Sequence, residues 1–237
     1  MNLHKIADLT VDMGYKYERL TKQAEAYRIS EKLKPDMTIY LSDAFLEQKQ
    51  KENPHLSIGD CEYIFTSSVF YTGLLRFGGF MLHSSAVIMD GKAYLFSAAS
   101  GTGKSTHTAL WQKVFGSGRV KILNDDKPAV RIIDDTVYAC GTPWSGKTDL
   151  NINIKAPVAG ICFLERSEKN HIERISAKEA IMPIMNQTIR PYEKNDVSLL
   201  LDHLDRVLSM TPIYKMGCNM EEEAAGMSHK KMTDGIK

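Results

Sequence analysis

The stretch Leu82–Asp126, LHSSAVIMDGKAYLFSAASGTGKSTHTALWQKVFGSGRVKILNDD, constrains this chain more than any other. Two strand-like runs, His83–Met89 and Lys92–Ala98, flank Asp90-Gly91. Asp-Gly between such runs predicts a two-residue hairpin, because a type I′ turn needs positive φ at both central positions. The second run leads into Ser100-Gly101-Thr102-Gly103-Lys104-Ser105-Thr106, and Thr106–Phe115 then predicts a helix. A glycine loop between a strand and a helix is the arrangement that binds phosphate. Its consecutive N–H groups wrap phosphate oxygens, its lysine reaches the terminal phosphates, and its Ser hydroxyl can ligate Mg²⁺. A helix starting at Ser105 aims the positive end of its dipole at the same phosphates. The expected fold class is α/β: a phosphate-loop core with a mixed β-sheet flanked by helices.

Val120–Leu123 predicts a further strand, ending in Asn124-Asp125-Asp126. Carboxylates at a strand end beside such a loop stand where Mg²⁺-nucleotide chemistry needs them. Ser105 and one Asp would hold Mg²⁺, and the other Asp would accept a hydroxyl proton. The residues alone leave the order of the two open. The full pattern G-x-x-x-x-G-K-[ST] meets Ala98 at its first position. Alanine resists positive φ, so an extended backbone is expected there.

Together, LHSSAV, SGTGKST, LNDDKPA and GTPWSGK resemble the HPr kinase and phosphoenolpyruvate carboxykinase superfamily, nearest to the small HPr-kinase-like proteins of bacterial gene clusters. The resemblance covers roughly Phe80 to Arg166 and extends loosely toward the C-terminus. It implies the HPr kinase C-terminal-domain fold, with ATP as phosphoryl donor and Mg²⁺ as cofactor. It implies Asp125 as the base and Asp126 as the metal ligand, and it places His83 near the reacting phosphate. In the true HPr kinases the histidine is usually followed by glycine, whereas here it is followed by Ser84. Phosphoryl transfer is therefore implied more firmly than HPr as the acceptor.

The expected activity is an ATP-dependent kinase that moves the γ-phosphoryl group to a hydroxyl, foremost a Ser or Thr of a protein or peptide. A sugar or alcohol kinase would use the same machinery. A non-catalytic ATP-sensing module is the alternative from another class, and the Asp pair speaks against it, since binding alone needs one metal ligand. Lys104 and the amides of Ser100–Thr106 would hold the β- and γ-phosphates. Gly141-Thr142-Pro143-Trp144-Ser145-Gly146-Lys147 reads as a loop. One reading puts Thr142, Ser145 and Lys147 at the mouth of the site, on phosphate or acceptor, with Gly141 and Gly146 as hinges. The other makes Trp144 a plug at the core edge and Lys147 a solvated cation. Arg166, after the strand Val158–Leu164, could clamp phosphate through its planar fork or pair with Glu165 or Glu168.

The rest of the chain reads as support. Alternation predicts strands at Leu9–Met13 and Met37–Leu41. Ser42 would cap a helix over Asp43–Lys51, and Ser57 with Asp60 forms a capping box for a helix reaching Leu75. Strands around Asp134-Asp135, helices over Ser176–Thr188, Val197–Met210 and Met220–Met232, and an edge strand at Pro212–Met216 complete the pattern. The 237 residues are expected to form one domain, with an N-terminal layer (1–79), a nucleotide-binding core (80–216) and a C-terminal helix (217–237). A net charge of +1, spread evenly, carries no nucleic-acid footprint. Four scattered cysteines without a CxxC, and no membrane-length apolar run, predict a cytoplasmic protein that binds no membrane. Self-association is left open.

Overall fold

The computed structural model describes residues 2–234. In chain order its elements are β1 (Leu3–Ile6), β2 (Leu9–Met13), α1 (Glu18–Ala24), β3 (Met37–Ile39), α2 (Asp43–Glu52) and α3 (Ile58–Leu74). Then follow β4 (Gly79–Met81), β5 (Ser84–Met89), β6 (Lys92–Ser97), α4 (Lys104–Phe115), β7 (Val120–Asn124), β8 (Ala129–Ile133) and β9 (Thr136–Cys140). The chain closes with β10 (Lys155–Arg166), β11 (His171–Arg174), α5 (Ala177–Asn186), α6 (Lys194–Met210), β12 (Ile213–Cys218) and α7 (Glu222–Thr233).

A curled mixed sheet dominates, and β10 is its pivot. The start of β10 pairs antiparallel with β9. Farther along, β10 takes β6 on one side and β12 on the other, both parallel. The hairpin β5–β6 and the strand β7 extend one wing, while β8 and β4 extend the other beyond β9. The β5–β6 turn has φ 51° at Asp90 and 75° at Gly91, the left-handed pair that Asp-Gly supplies.

Alternation along the central strands sends side chains to two opposite cores. Leu95, Ile88, Ile161 and Ile213 meet Leu200, Leu204 and Val207 of α6 and Ile184 of α5. Tyr94, Phe96, Val87, Cys162 and Met216 meet Trp111 of α4 and Ala224 and Met232 of α7. Both faces of the sheet are therefore covered by helices. A third core joins the small sheet β1-β2-β3 to α1, α3 and Trp144.

The capping signals act as expected: Ser42 accepts from the Phe45 N–H, and Ser57 and Asp60 form a reciprocal box at the start of α3. A second reciprocal box, Ser176 with Glu179, opens α5. One expectation fails. The strand over Ile213–Cys218 is not at an edge, since β10 and β11 flank it on both sides. Pro212 sits just ahead of the strand and contributes its carbonyl, which accepts from the Ile161 N–H at 3.1 Å, so its missing donor costs the ladder nothing. The partner strand β11 is short and polar, which hid it from pattern reading. Among the described residues no helix is long and apolar enough to cross a membrane.

Candidate active site

The loop after β6 turns on two glycines. Gly101 has φ 78° and Gly103 has φ 119°, and a Cβ at either would meet no atom within 4 Å. Backbone conformation, not crowding, therefore calls for glycine at both positions. Ala98 is not among the residues with positive φ, as expected for the first position of the pattern. Helix α4 starts at Lys104, one residue before the predicted start, with Gly103 as its N-cap. Ser100, Gly101, Ser105 and Thr106 are exposed and Thr102 is half-buried. The Thr102 N–H donates to the Ala99 carbonyl at 3.3 Å, while the N–H groups of the first helical turn lack intrahelical partners. Lys104 is buried and donates to the Ala98 carbonyl at 2.9 Å and the Ala99 carbonyl at 3.3 Å. Burial lowers its pKa, while the carboxylates of Asp126 and Asp125 oppose that shift.

Asp125 and Asp126 leave the end of β7 in different directions. Asp125 is buried and accepts a 2.5 Å hydrogen bond from the Ser85 hydroxyl. That bond uses the one Ser85 proton, so Thr108, 2.8 Å away, is the donor to the Ser85 oxygen. The Thr108→Ser85→Asp125 chain anchors the carboxylate to the first turns of α4. Asp126 is half-exposed, with Oδ1 3.3 Å from Nε2 of His83 and Oδ2 3.7 Å from the Lys127 ammonium. Burial alone would raise the Asp126 carboxyl. The His83 hydrogen bond and the positive charges of Lys127, His83 and Lys104 outweigh it and hold the group below the usual range. The other ring nitrogen of His83 is 2.9 Å from Oε1 of Gln187, which follows α5.

Loop, Asp pair and His83 line one cavity of about 510 Å³, with Lys104, Ser105 and Thr106 at the helix start and Ser145–Thr148 opposite. Sequence reading named most of these residues and missed four that position them: Ser85, Thr108, Gln187 and Asn124. Asn124 is fully buried. Its Oδ1 accepts from the N–H groups of Asp126 and Lys127, and its amide donates to the Thr142 and Trp144 carbonyls. An Asn immediately before a turn, accepting from residues two and three ahead, was the available signal. Lys127 was also passed over, although it follows the pair directly. Burial lowers its pKa against the pull of Asp126.

The segment Gly141–Lys147 matches the reading of Trp144 as a core plug and departs from the mobile-hinge reading, while Ser145 and Lys147 still reach the cavity. Thr142, Trp144 and Ser145 are fully buried, so this is no mobile mouth. Trp144 packs on Phe70 and Tyr71, with ring centroids 5.0 and 5.7 Å away, and its indole N–H donates to Thr66. The Ser145 and Gly146 N–H groups both donate to the Tyr63 hydroxyl, and the Thr142 hydroxyl donates to the Lys127 carbonyl. Gly141 and Gly146 are not free hinges either. A Cβ at Gly141 would lie 1.8 Å from the Ile152 carbonyl oxygen, and one at Gly146 would lie 2.8 Å from Cβ of Asp126. Both are glycines of close approach. Ser145, Gly146 and Lys147 line the cavity, and of the segment only Lys147 is exposed.

Arg166 does not pair with Glu165, which binds Lys215 instead. It donates to the Gly101 carbonyl at 2.6 Å and lines a second cavity on the other side of the loop, away from the Asp pair.

No family model matches the sequence, and no curated protein matches it. Among solved structures, the HPr(Ser) kinase/phosphatase from Coxiella burnetii is similar at 9% identity and a TM-score of 0.38, over 65% of this chain and 99% of that chain.

Proposed function

We propose that this protein is a phosphotransferase that moves the γ-phosphoryl group of ATP to a hydroxyl, foremost a Ser or Thr of a protein or peptide. One observation carries the reading. The glycine loop with its lysine, the first turn of α4, and two differently housed carboxylates all face a single cavity. The loop amides and Lys104 bind the β- and γ-phosphates. Lys104 meets phosphate by giving up the two carbonyls it now caps.

Mg²⁺ needs only one or two carboxylates besides phosphate oxygens and water. Ser105 and an Asp form such a set, and among the described residues no cluster of three or more His, Cys, Asp or Glu offers a rival site. When bound, the ion neutralises charge on the phosphate oxygens. The resemblance implied Asp125 as base and Asp126 as metal ligand. We assign the reverse. Asp125 is tied through Ser85 and Thr108 to the helix that carries Ser105, which suits a cation ligand. Asp126 is more open and sits against His83, which suits a group that takes the acceptor proton. In that step the acceptor oxygen bonds to the γ-phosphorus, the bond to the β,γ-bridging oxygen breaks, ADP leaves, and the hydroxyl proton passes to Asp126. His83, positioned by Gln187, then shares that proton.

The test is transfer of labelled γ-phosphate to Ser/Thr peptide libraries and to sugar and alcohol panels. Asp126→Asn should keep near-normal Mg-ATP affinity and lose about 10²–10⁴-fold in transfer. Asp125→Asn should weaken binding as well. If the wild type transfers phosphate to no acceptor while still binding ATP, the ATP-sensing module replaces the kinase.

A further inference from the structure

Five residues lining the cavity of the Asp pair carry a hydroxyl, and one of them stands on the acceptor side. Ser100, Ser105 and Thr106 belong to the glycine loop and the first turn of α4, the side that holds the donor phosphates. Ser145 is fully buried, and its hydroxyl donates to Oε1 of Gln23 at 3.2 Å and accepts from the Asn151 amide at 2.8 Å. Thr148 is left. It is exposed and lines the wall opposite the loop. Its hydroxyl is weakly engaged, 3.4 Å from the Ser145 carbonyl and 3.5 Å from the Leu150 N–H, both longer than ordinary hydrogen bonds.

The turn that carries Thr148 straddles the Asp pair. Gly146 at φ 74° and Asp149 at φ 56° bend it. Gly146, two residues before Thr148, packs on Asp126 so closely that a Cβ there would lie 3.2 Å from Oδ2 of that carboxylate. Leu150, two residues after Thr148, accepts from the Asp125 N–H at 3.1 Å. Both ends are also held from α1: Arg19 donates to the Gly146 carbonyl at 2.8 Å, and the Gln23 amide donates to the Asp149 carboxylate. The backbone around Thr148 is thus fixed beside the two carboxylates, while its hydroxyl stays uncommitted.

Phosphoryl transfer sets the attacking and leaving oxygens roughly in line through phosphorus. With the leaving oxygen on the loop side, the attacking oxygen comes from the opposite wall, where Thr148 is the hydroxyl at hand. We propose that Thr148 is an intramolecular acceptor, phosphorylated by the protein's own active site when no other hydroxyl occupies it. The inference rests on the kinase reading above and names one acceptor for it. Oγ1 of Thr148 bonds to the γ-phosphorus, the bond to the β,γ-bridging oxygen breaks, ADP leaves, and the hydroxyl proton passes to Asp126. An acceptor held in the same chain makes the step unimolecular. The new phosphate carries about −1.5 to −2 charge, and the neighbouring Lys147 supplies a cation beside it.

Incubation of the full chain with Mg²⁺ and ATP labelled at the γ-phosphate, with and without added peptide, sugar and alcohol acceptors, tests this. The wild type should take up label with no acceptor added, and mass mapping of its peptides should place the phosphate on Thr148. The rate per chain should not change with protein concentration. Thr148→Val should take up no label at that peptide, and Thr148→Ser should restore it. Asp126→Asn should label itself about 10²–10⁴-fold more slowly, as for an added acceptor. An unchanged melting temperature shows that Thr148→Val folds, and the mapping on the wild type decides the question if it does not. Transfer to an added acceptor without label on the chain, label confined to another residue, or a rate that grows with protein concentration overturns Thr148 as the intramolecular acceptor and leaves the kinase standing. Transfer to neither the chain nor any acceptor overturns the kinase reading and this inference with it.

Discussion

Two glycine-punctuated loops meet at the Asp pair, and they do opposite things. The segment Ala98–Thr106 follows β6 with its glycines in open space and most of its residues exposed. The segment Gly141–Lys147 follows β9 with its glycines wedged against backbone and against Asp126, and with Thr142, Trp144 and Ser145 fully buried. Both contain Gly, Thr, Ser and Lys in similar proportion. What separates them is where their N–H groups go. In the second loop, the Ser145 and Gly146 donors are taken by the Tyr63 hydroxyl of α3. In the first, the N–H groups at the helix start lack intrahelical partners by construction. A donor already satisfied within the fold supports the site, whereas one still unsatisfied can bind a ligand.

The largest effect that would sharpen this contrast is at Trp144. Trp144→Ala should cost about 3–5 kcal/mol of folding stability, the usual range for emptying a large buried aromatic site. Denaturant unfolding measures it. A loss below about 1 kcal/mol would mean that the second loop is not part of the core and would erase the distinction.

Next comes Lys104→Ala. Losing a charge-assisted contact to phosphate costs about 1.5–3 kcal/mol, so Mg-ATP affinity should fall roughly tenfold to a hundredfold. Stability should not fall with it, because the ammonium is desolvated and bonded only to two loop carbonyls. A melting temperature that drops as for Trp144→Ala would make Lys104 a scaffold residue too.

The smallest effect lies at Lys147, where the buried loop emerges. Lys147→Ala should change stability by less than about 0.5 kcal/mol, as for surface positions generally. A loss approaching that of Trp144→Ala would move the scaffold boundary outward, past Lys147.

Local chemistry settled much of this protein in the sequence itself. Asp90-Gly91 set the hairpin, because two adjacent residues must take positive φ there. Ser42, and Ser57 with Asp60, set two helix starts through side chains that reach only a turn away. Gly101 and Gly103 set the loop by backbone conformation alone. Each of these depends on neighbours within a few residues, which a sequence displays. The sequence left three matters to the tertiary structure: the burial of Trp144, the different housing of Asp125 and Asp126, and the interior place of β12. Trp144 is covered by Phe70 and Tyr71 of a helix far away in the chain. Asp125 is turned inward by Ser85 of β5, the strand paired with β7, and Asp126 is met by His83 just before β5, both about forty residues earlier in the chain. The short polar strand β11 closes the side of β12 that pattern reading left as an edge. These outcomes depend on contacts between residues remote in sequence, and no local periodicity records which distant group will be at hand to cover a ring, donate to a carboxylate or pair with a strand.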